Sequence, residues 1–361
     1  VFFIVEIVSA FAMYYYWNRL PAKTHGRVVW IYAIAAWISL VLITGITAFM
    51  LNANGLLPGG DWTETGLFRH AFFNVQFLPQ TFVRTGGALL LATLYVYLHA
   101  AVTLRKSNDV DLLAKVVRRM RAPLLVALAL LGVGVAGWFA NLSESGLISL
   151  QRAAVLNIFL GMMAALGGIV VLMTVAVCFF FPRSMNVGFA ASLFLMGLML
   201  FAIGEFVREA VRKPYIVDQV VLGNQILAGE IDQCRQNGLF SQGEWLKHAR
   251  YHVWYETVDL EPPPPGTPEA KRHAEEMRAA FLRRNVDYGH AIFLHHCNDC
   301  HAREVGYSAV GPLLVGLSKE QIAEKVKHLN EPVINMPPWC GNDEEADWLA
   351  EYLLTIRPDR P

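Results

Sequence analysis

Charged residues are scarce in this sequence. Asp, Glu, Lys and Arg make up 17% of the 361 residues, whereas hydrophobic residues make up 55%. Soluble globular domains carry about 25% charged residues, so the composition argues against a wholly soluble protein. The formal net charge is +0, and without a basic surplus nothing indicates a nucleic-acid partner. The mean hydropathy of +0.37 indicates a membrane protein in contact with lipid.

Cysteine is also sparse, with five in the chain. Cys178 lies in an apolar run, where we expect it only to pack. Cys234 and Cys340 lie in the polar C-terminal half. They could form a disulfide if that half faces an oxidising compartment, and two unrelated thiols are the equally weighted alternative. Cys297 and Cys300 belong to a motif discussed below.

Long apolar runs fill the first part of the chain and are nearly absent after it. A spanning helix needs about 20 apolar residues, and in lipid only a helix satisfies its own backbone. We therefore predict an all-α, polytopic transmembrane bundle of about six spans. The runs are 1–17, 28–52, 80–104, 123–140, 153–181 and 187–207. The chain starts at Val1 inside the first run, without a charged leader or cleavage site, so we expect an incomplete N-terminus.

Basic residues are distributed unequally between the connecting loops. The loops 18–27, 105–122 and 182–186 are basic, whereas 53–79 and 141–152 carry only Arg69 and Arg152. The positive-inside rule places the basic loops in the cytoplasm and the polar C-terminal half outside. We expect a multi-pass protein of a bacterial cytoplasmic membrane, with that half on the periplasmic side.

The polar half contains Cys297-Asn298-Asp299-Cys300-His301, a C-x-x-C-H motif. This spacing is typical of covalent c-type haem attachment. Each thiol adds to one vinyl group of the haem, and the adjacent His301 reaches the iron from the same face. A zinc site would need a second pair of ligands nearby, and the sequence offers none. We predict one covalent haem c at Cys297, Cys300 and His301.

The residues around the motif resemble a class I cytochrome c over about 272–357. Gly289 and Phe293 lie on a preceding amphipathic helix, and Gly311-Pro312-Leu313 follows. The resemblance implies that the Pro312 carbonyl accepts a hydrogen bond from His301 and so orients the imidazole. It also implies a small all-α cytochrome c domain.

The sixth ligand of the iron is expected to be Met336, in the rigid segment Asn335-Met336-Pro337-Pro338-Trp339. A Met/His ligand pair raises the haem potential and suits electron transfer. His328 is the rival ligand. His295 and His296 lie too close to Cys297 to reach the iron, and we expect them to face solvent.

Several ionisable residues interrupt the apolar spans, which is costly in lipid and usually functional. Glu6 lies in the first run and Arg84 in the third. A further group shares one helix face at the outer end of the last run: Glu205, Arg208, Glu209 and Arg212. A salt-bridged anchor at the interface is the equally weighted alternative. Of these residues, Glu6, Glu205 and Glu209 are the candidates for a proton path.

These positions resemble subunit I of cytochrome bd-type terminal oxidases over roughly 1–217. The similar segments are Glu6, Trp17–Leu20, His25, Ala48–Asn52, Phe82–Thr85, Gly204–Glu209 and Arg212–Pro214. The departures are informative. Arg84 stands where the family has the His that ligates its low-spin haem b, and a guanidinium cannot ligate iron. Glu205 replaces a family Trp near the haems, and the quinol-binding loop is reduced to about 141–152. We expect haem b to be absent from this chain.

The sequence therefore predicts three regions: a transmembrane bundle over 1–212, an extracytoplasmic linker over 213–267 and a cytochrome c domain over 268–361. The proline run in Glu261–Gly266 marks the boundary before the last region.

The resemblances predict an electron-transfer subunit of a membrane respiratory complex. It would take electrons from an external donor such as a soluble cytochrome and pass them, through haem c, to a haem-bearing cytochrome bd-type partner subunit that reduces O₂. The alternative is an anchored cytochrome that shuttles electrons between other respiratory complexes. A transporter-like bundle with a sensory cytochrome is the third hypothesis, but no discontinuous helices support it.

Overall fold

The computed structural model describes residues 1–56, 60–104, 109–242, 285–306, 308–331, 333 and 335–358. The chain divides into two compact units, Val1–Arg212 and Lys213–Pro361, which are described separately below.

The first unit is built from helices throughout its described residues. In chain order they are α1 (Phe2–Tyr15), α2 (Ala22–Leu51), α3 (Trp62–Thr65), α4 (Phe68–Phe72), α5 (Phe77–Leu104), α6 (Val110–Arg119), α7 (Arg121–Ala140), α8 (Glu144–Arg152), α9 (Ala154–Val175) and α10 (Val187–Val211). Helix α9 continues as a π-helical turn, Ala176–Phe180, and a 3₁₀ turn, Pro182–Ser184, precedes α10.

Five segments of the described chain are long and apolar enough to cross a membrane: Ala22–Leu51, Phe77–Leu104, Val110–Ala140, Ala154–Phe180 and Val187–Val211. Helix α1 is apolar but shorter, with 14 residues. This confirms the predicted all-α membrane bundle. The third span includes α6, an amphipathic helix that lies within the predicted basic loop 105–122.

Helix α5 packs against α2, α7 and α10 and so lies at the centre of the bundle. Its approach to α7 depends on glycine. A Cβ at Gly86 would lie 2.8 Å from the Ala127 carbonyl oxygen, and a Cβ at Gly134 would lie 2.7 Å from the Val83 nitrogen. Small residues at such crossings allow close van der Waals packing where lipid provides no hydrophobic driving force.

The second unit is also mainly helical. Two short antiparallel strands, β1 (Tyr215–Val217) and β2 (Val221–Leu222), open it. The helices are α11 (Ile231–Asn237), α12 (Leu239–Gln242), α13 (285–296), α14 (Lys319–Lys327) and α15 (Asp343–Thr355). A 3₁₀ turn, Ala228–Glu230, precedes α11, and another, Gly311–Leu314, precedes α14.

The described residues of the second unit share one apolar core, and it includes residues from the segment assigned to a linker. Leu222 and Leu239 are 0% and 1% exposed and pack in one cluster with Ile292 and Phe293 of α13. Glu345 of α15 accepts hydrogen bonds from the Leu239 N–H at 2.9 Å and the Phe240 N–H at 3.2 Å. Residues 213–242 therefore belong to the folded body of this unit. The rest of the predicted linker and its boundary at 267/268 lie outside the described residues.

Helices α13 and α15 cross at a glycine. A Cβ at Gly289 would lie 2.7 Å from the Tyr352 Cβ and would collide with the Trp348 carbonyl. Phe293, on the same side of α13, packs against Tyr352 with 5.6 Å between ring centroids. A capping box between Asn342 and Glu345 fixes the start of α15. The crossing holds the end of α13, where the C-x-x-C-H motif begins.

Candidate haem site and membrane charge cluster

The C-x-x-C-H motif forms a tight turn at the end of α13. The Cys297 N–H donates to the Phe293 carbonyl at 2.9 Å, and the His301 N–H donates to the Cys297 carbonyl at 2.9 Å. Phe293 is 0% exposed, so the turn starts from a fixed point in the core. Cys300 is exposed and His301 half-buried. One turn therefore carries both thiols and the imidazole, as attachment to a single haem requires.

Cys297 is the more buried of the two thiols. Burial, with a contribution from Cys300, raises the pKa of Cys297 to about 12. Reactive thiols in C-x-x-C motifs have lowered pKa values instead, because the thiolate is the nucleophile. Cys297 therefore lacks the lowered pKa of a redox-active C-x-x-C cysteine.

The imidazole of His301 is oriented by a backbone carbonyl. Its Nδ1 lies 2.7 Å from the Ser308 oxygen. The tautomer that donates from Nδ1 leaves the Nε2 lone pair available for a metal, which is the arrangement that ligating histidines use. The class I resemblance implied the Pro312 carbonyl in this role, and in this structure the acceptor is Ser308 instead.

The folding of the loop after His301 explains this difference. The Val310 N–H donates to the Ala302 carbonyl at 3.0 Å, and the Gly311 N–H donates to the Arg303 carbonyl at 2.8 Å. These bonds pair the two ends of the loop. Ser308 lies between them with a φ of 49°. Its carbonyl rather than that of Pro312 therefore accepts from the ring.

Met336 lies in a turn that is held at its C-terminal end. The Met336 N–H donates to the Val333 carbonyl at 2.9 Å. After the two prolines, Trp339 is 3% exposed. Arg235 of α11 donates from Nε to the Trp339 carbonyl at 2.9 Å. The Met336 segment is thus anchored in the core by Trp339.

Exposed apolar side chains flank both predicted iron ligands. Val305 and Leu313 follow His301 in sequence and are 85% and 66% exposed, and Val333 precedes Met336 and is 44% exposed. Exposed apolar side chains in the segments that follow the thiol pair and precede Met336 suit contact with a porphyrin. The residues present therefore fit a haem c.

The rival ligand His328 is engaged elsewhere. Its Nδ1 lies 2.7 Å from Glu331, and its Nε2 lies 3.2 Å from Glu324. Both contacts raise the pKa of His328 and favour a proton on each ring nitrogen. A ligating imidazole must be neutral, which favours Met336.

The expectation that His295 and His296 face solvent is wrong. His295 is 7% exposed, and its Nδ1 lies 3.1 Å from Nδ1 of His296. His296 packs on Trp339 with 5.6 Å between ring centroids. Burial lowers the pKa of His295 to about 4 and lowers that of His296 as well. Both rings lie in the last turn of α13, immediately before the motif, where the inward face of α13 could have been predicted from the buried Ala291 and Ile292.

In the first unit, charged residues form a connected chain of ion pairs. Arg84 on α5 donates to Glu205 on α10 at 2.8 Å, and Arg208 donates to the other oxygen of Glu205 at 2.7 Å. Arg208 also lies 3.3 Å from Glu209, which pairs with Arg212. The shared helix face of α10 was predicted from its spacing. The participation of Arg84 was not, because it comes from another helix.

The third candidate for a proton path lies elsewhere. Glu6 is half-buried on α1, and α1 packs on α2. Glu205 and Glu209 are on α10, which packs on α5, α8 and α9. The structure thus groups two of the three carboxylates with arginines and places Glu6 on a helix with different neighbours.

A bundle of membrane-spanning helices joined to a helical domain with a C-x-x-C-H turn defines a class of protein: a membrane-bound cytochrome with a role in electron transfer. The comparison with family models specifies the two parts. Residues 1–146 match "Cytochrome bd terminal oxidase subunit I", and residues 284–353 match "Cytochrome C oxidase, cbb3-type, subunit III". The predicted fusion of a bd-like membrane region with a C-terminal cytochrome c domain is confirmed.

The first match ends before α9 and α10, so Glu205 and Glu209 lie outside it. A search of the curated proteins and a search of the solved structures found no match for this chain. The cytochrome c domain indicates haem c, whereas members of the bd family usually bind haem b.

Proposed function

We propose that this chain is the electron-entry subunit of a membrane respiratory complex whose O₂-reducing, bd-like core lies in a partner subunit. Haem c supplies one-electron transfer when bound. Cys297 and Cys300 would hold it covalently, His301 and Met336 would ligate its iron, and the Ser308 carbonyl would set the tautomer of His301. The external donor is an electron carrier such as a soluble cytochrome.

One observation supports the need for a partner. Arg84 stands at the position that resembles the haem b ligand of the bd family, and its guanidinium is committed to Glu205 at 2.8 Å. A guanidinium has no lone pair to offer iron. We infer that this chain lacks the low-spin haem b, so electrons that enter at haem c need an acceptor in another subunit.

The positions of the basic residues indicate on which side of the membrane an external donor reaches the cytochrome c domain. The basic segment Arg118–Arg121 lies where α6 meets α7, and Arg183 lies in the 3₁₀ turn before α10. With these ends in the cytoplasm, the chain leaves α10 on the opposite side. We infer that the cytochrome c domain is periplasmic, where a soluble donor can reach it.

The experiment is purification of the complex under mild detergent, with haem analysis of each separated subunit. We expect one covalent c haem on this chain, no b haem, and a co-purified subunit that carries b- and d-type haems. We also expect Met336→Leu to slow O₂ consumption by the complex. Unchanged turnover in that variant, or the absence of any haem-bearing partner, would contradict the proposal.

The alternative function is an anchored cytochrome that shuttles electrons between other respiratory complexes. The ion pairs around Glu205 favour this function. Both oxygens of Glu205 are bonded to arginines of the same chain, which suits a static scaffold. Purification as a subunit without O₂ reductase activity, together with rapid reduction by a quinol-oxidising complex, would favour this function over the first.

A further inference from the structure

Two cysteines outside the C-x-x-C-H motif lie in one core. Cys234, on α11, is 2% exposed, and Cys340, just after the Met336 segment, is 0% exposed. Both belong to the same apolar cluster among the described residues of the second unit. They are far apart in sequence, so only the packing of residues 213–242 against the cytochrome domain brings them together.

Residues next to Cys234 form hydrogen bonds with residues next to Cys340. Arg235, which follows Cys234, donates from Nε to the carbonyl of Trp339, which precedes Cys340, at 2.9 Å. On the other side, Glu345 accepts from the N–H groups of Leu239 and Phe240. These bonds lie on both sides of Cys340 and after Cys234, and they hold α11 and the start of α12 against the segment that contains Cys340. Both cysteines are free thiols in this structure, and a bond between them requires such a fixed approach of the two segments.

The pKa values of the two thiols agree with their proximity. The pKa of Cys340 is raised to about 12, mainly by burial and further by the nearby Cys234. The pKa of Cys234 is raised by burial as well.

We propose that Cys234 and Cys340 form a structural disulfide that fastens residues 213–242 to the Met336 segment. The two thiols together lose two protons and two electrons as the S–S bond forms. The acceptor is the disulfide of a thiol–disulfide oxidoreductase, which is converted to its dithiol. This proposal rests on the periplasmic placement in the proposed function, because disulfides persist in that compartment.

The disulfide affects the haem site through Met336, which lies four residues before Cys340. A disulfide at Cys340 restrains the C-terminal end of the Met336 segment. The loop closed by the bond is long, and closing a long loop constrains the unfolded chain strongly. We expect the Met336 segment to become less ordered when the bond is reduced.

The test uses the full-length, haem-loaded chain, denatured and alkylated without reductant and then digested. We expect Cys178 to be alkylated and the peptides of Cys234 and Cys340 to be joined by a bond that reductant cleaves. Alkylation of both Cys234 and Cys340, or a link from either to another thiol, would overturn the proposal. A chain without covalent haem would instead contradict the haem assignment, so the two failures are distinguishable.

A thermal melt of the cytochrome domain gives a second measurement, with ascorbate in every sample so that the iron stays reduced and the disulfide intact. A phosphine reductant is expected to lower the midpoint by about 10 °C or more. Cys234→Ser should lower it equally and abolish the effect of the phosphine, whereas Cys178→Ser retains that effect. A wild-type midpoint that is insensitive to the phosphine would also overturn the proposal.

Discussion

The Arg84 guanidinium on α5 and the Glu205 carboxylate on α10 form an ion pair of 2.8 Å between two membrane-spanning helices. Arg208 donates to the second oxygen of the Glu205 carboxylate at 2.7 Å. Ionisable groups within membrane-spanning segments are costly unless they are paired. The pair therefore joins α5 to α10.

Loss of either partner of this ion pair should weaken the packing of the bundle. In a double-mutant cycle of Arg84→Gln and Glu205→Gln, we expect a coupling energy of about 1 kcal/mol, as interhelical polar pairs in membranes show. The readout is the rate at which maleimide alkylates Cys178, which is 0% exposed in the core of the bundle.

The matched control for this cycle is the pair Arg183 and Asp111, separated by 2.9 Å with both side chains 70% exposed. A solvated pair of this kind couples by less than about 0.5 kcal/mol. Equal coupling energies in the two cycles would mean that Arg84 and Glu205 do not tie the helices together.

Met336→Leu should lower the midpoint potential of the c haem. Removal of the thioether ligand takes away the stabilisation that Met gives to the reduced iron, and a shift on the order of 100 mV is expected. Redox titration of the purified chain measures it. The control is His328→Gln, which should leave the potential unchanged because His328 is occupied by Glu324 and Glu331. A shift in the control and none in Met336→Leu would reassign the ligand to His328.

Gly289→Ala should destabilise the cytochrome domain by about 2 kcal/mol, as overpacking of a tight contact does. A Cβ at this position collides with the Trp348 backbone and lies 2.7 Å from the Tyr352 Cβ. Urea unfolding followed by the Soret band measures the loss. Gly229→Ala is the control, since a Cβ there meets nothing within 4 Å. If both variants unfold at the same urea concentration, α13 and α15 do not cross at Gly289.

The cytochrome domain should lose stability in mild acid because of His295. Burial lowers the pKa of His295 to about 4, so the folded state favours the neutral ring. A depressed pKa of this kind contributes stability above about pH 6.5, and the contribution is lost as the pH falls towards 4. Between pH 7 and pH 5 His295 is expected to account for a loss of about 2 kcal/mol, which urea unfolding of His295→Gln should lack. The part that is due to His296, whose pKa is also lowered, should remain.

His328→Gln provides a control of opposite sign for the acid effect. The pKa of His328 is raised by Glu331 and Glu324, so its ion pairs stabilise the fold at low pH and are lost as the pH rises. Removal of His328 should therefore leave the acid loss intact or steepen it. An acid loss that persists undiminished in His295→Gln would place the responsible group elsewhere.

The sequence alone determined what depends on neighbours along the chain. Apolar runs of spanning length predicted the membrane helices, because each such helix satisfies its own backbone. The motif from Cys297 to His301 predicted haem attachment, because the thiols and the imidazole must lie on one turn. The shared face of Glu205 and Glu209 followed from helical spacing.

Tertiary structure alone decided which distant segments meet. Arg84 and Glu205 lie on separate helices, and Cys234 and Cys340 lie on opposite sides of the motif, so no local pattern could pair them. The Ser308 carbonyl replaced Pro312 as the partner of His301 because the loop between them pairs its own ends. The same packing buried His295, whose ring is polar but whose place on α13 faces the core. Local patterns predict helices and turns, whereas burial and long-range contacts depend on how those elements fill a common core.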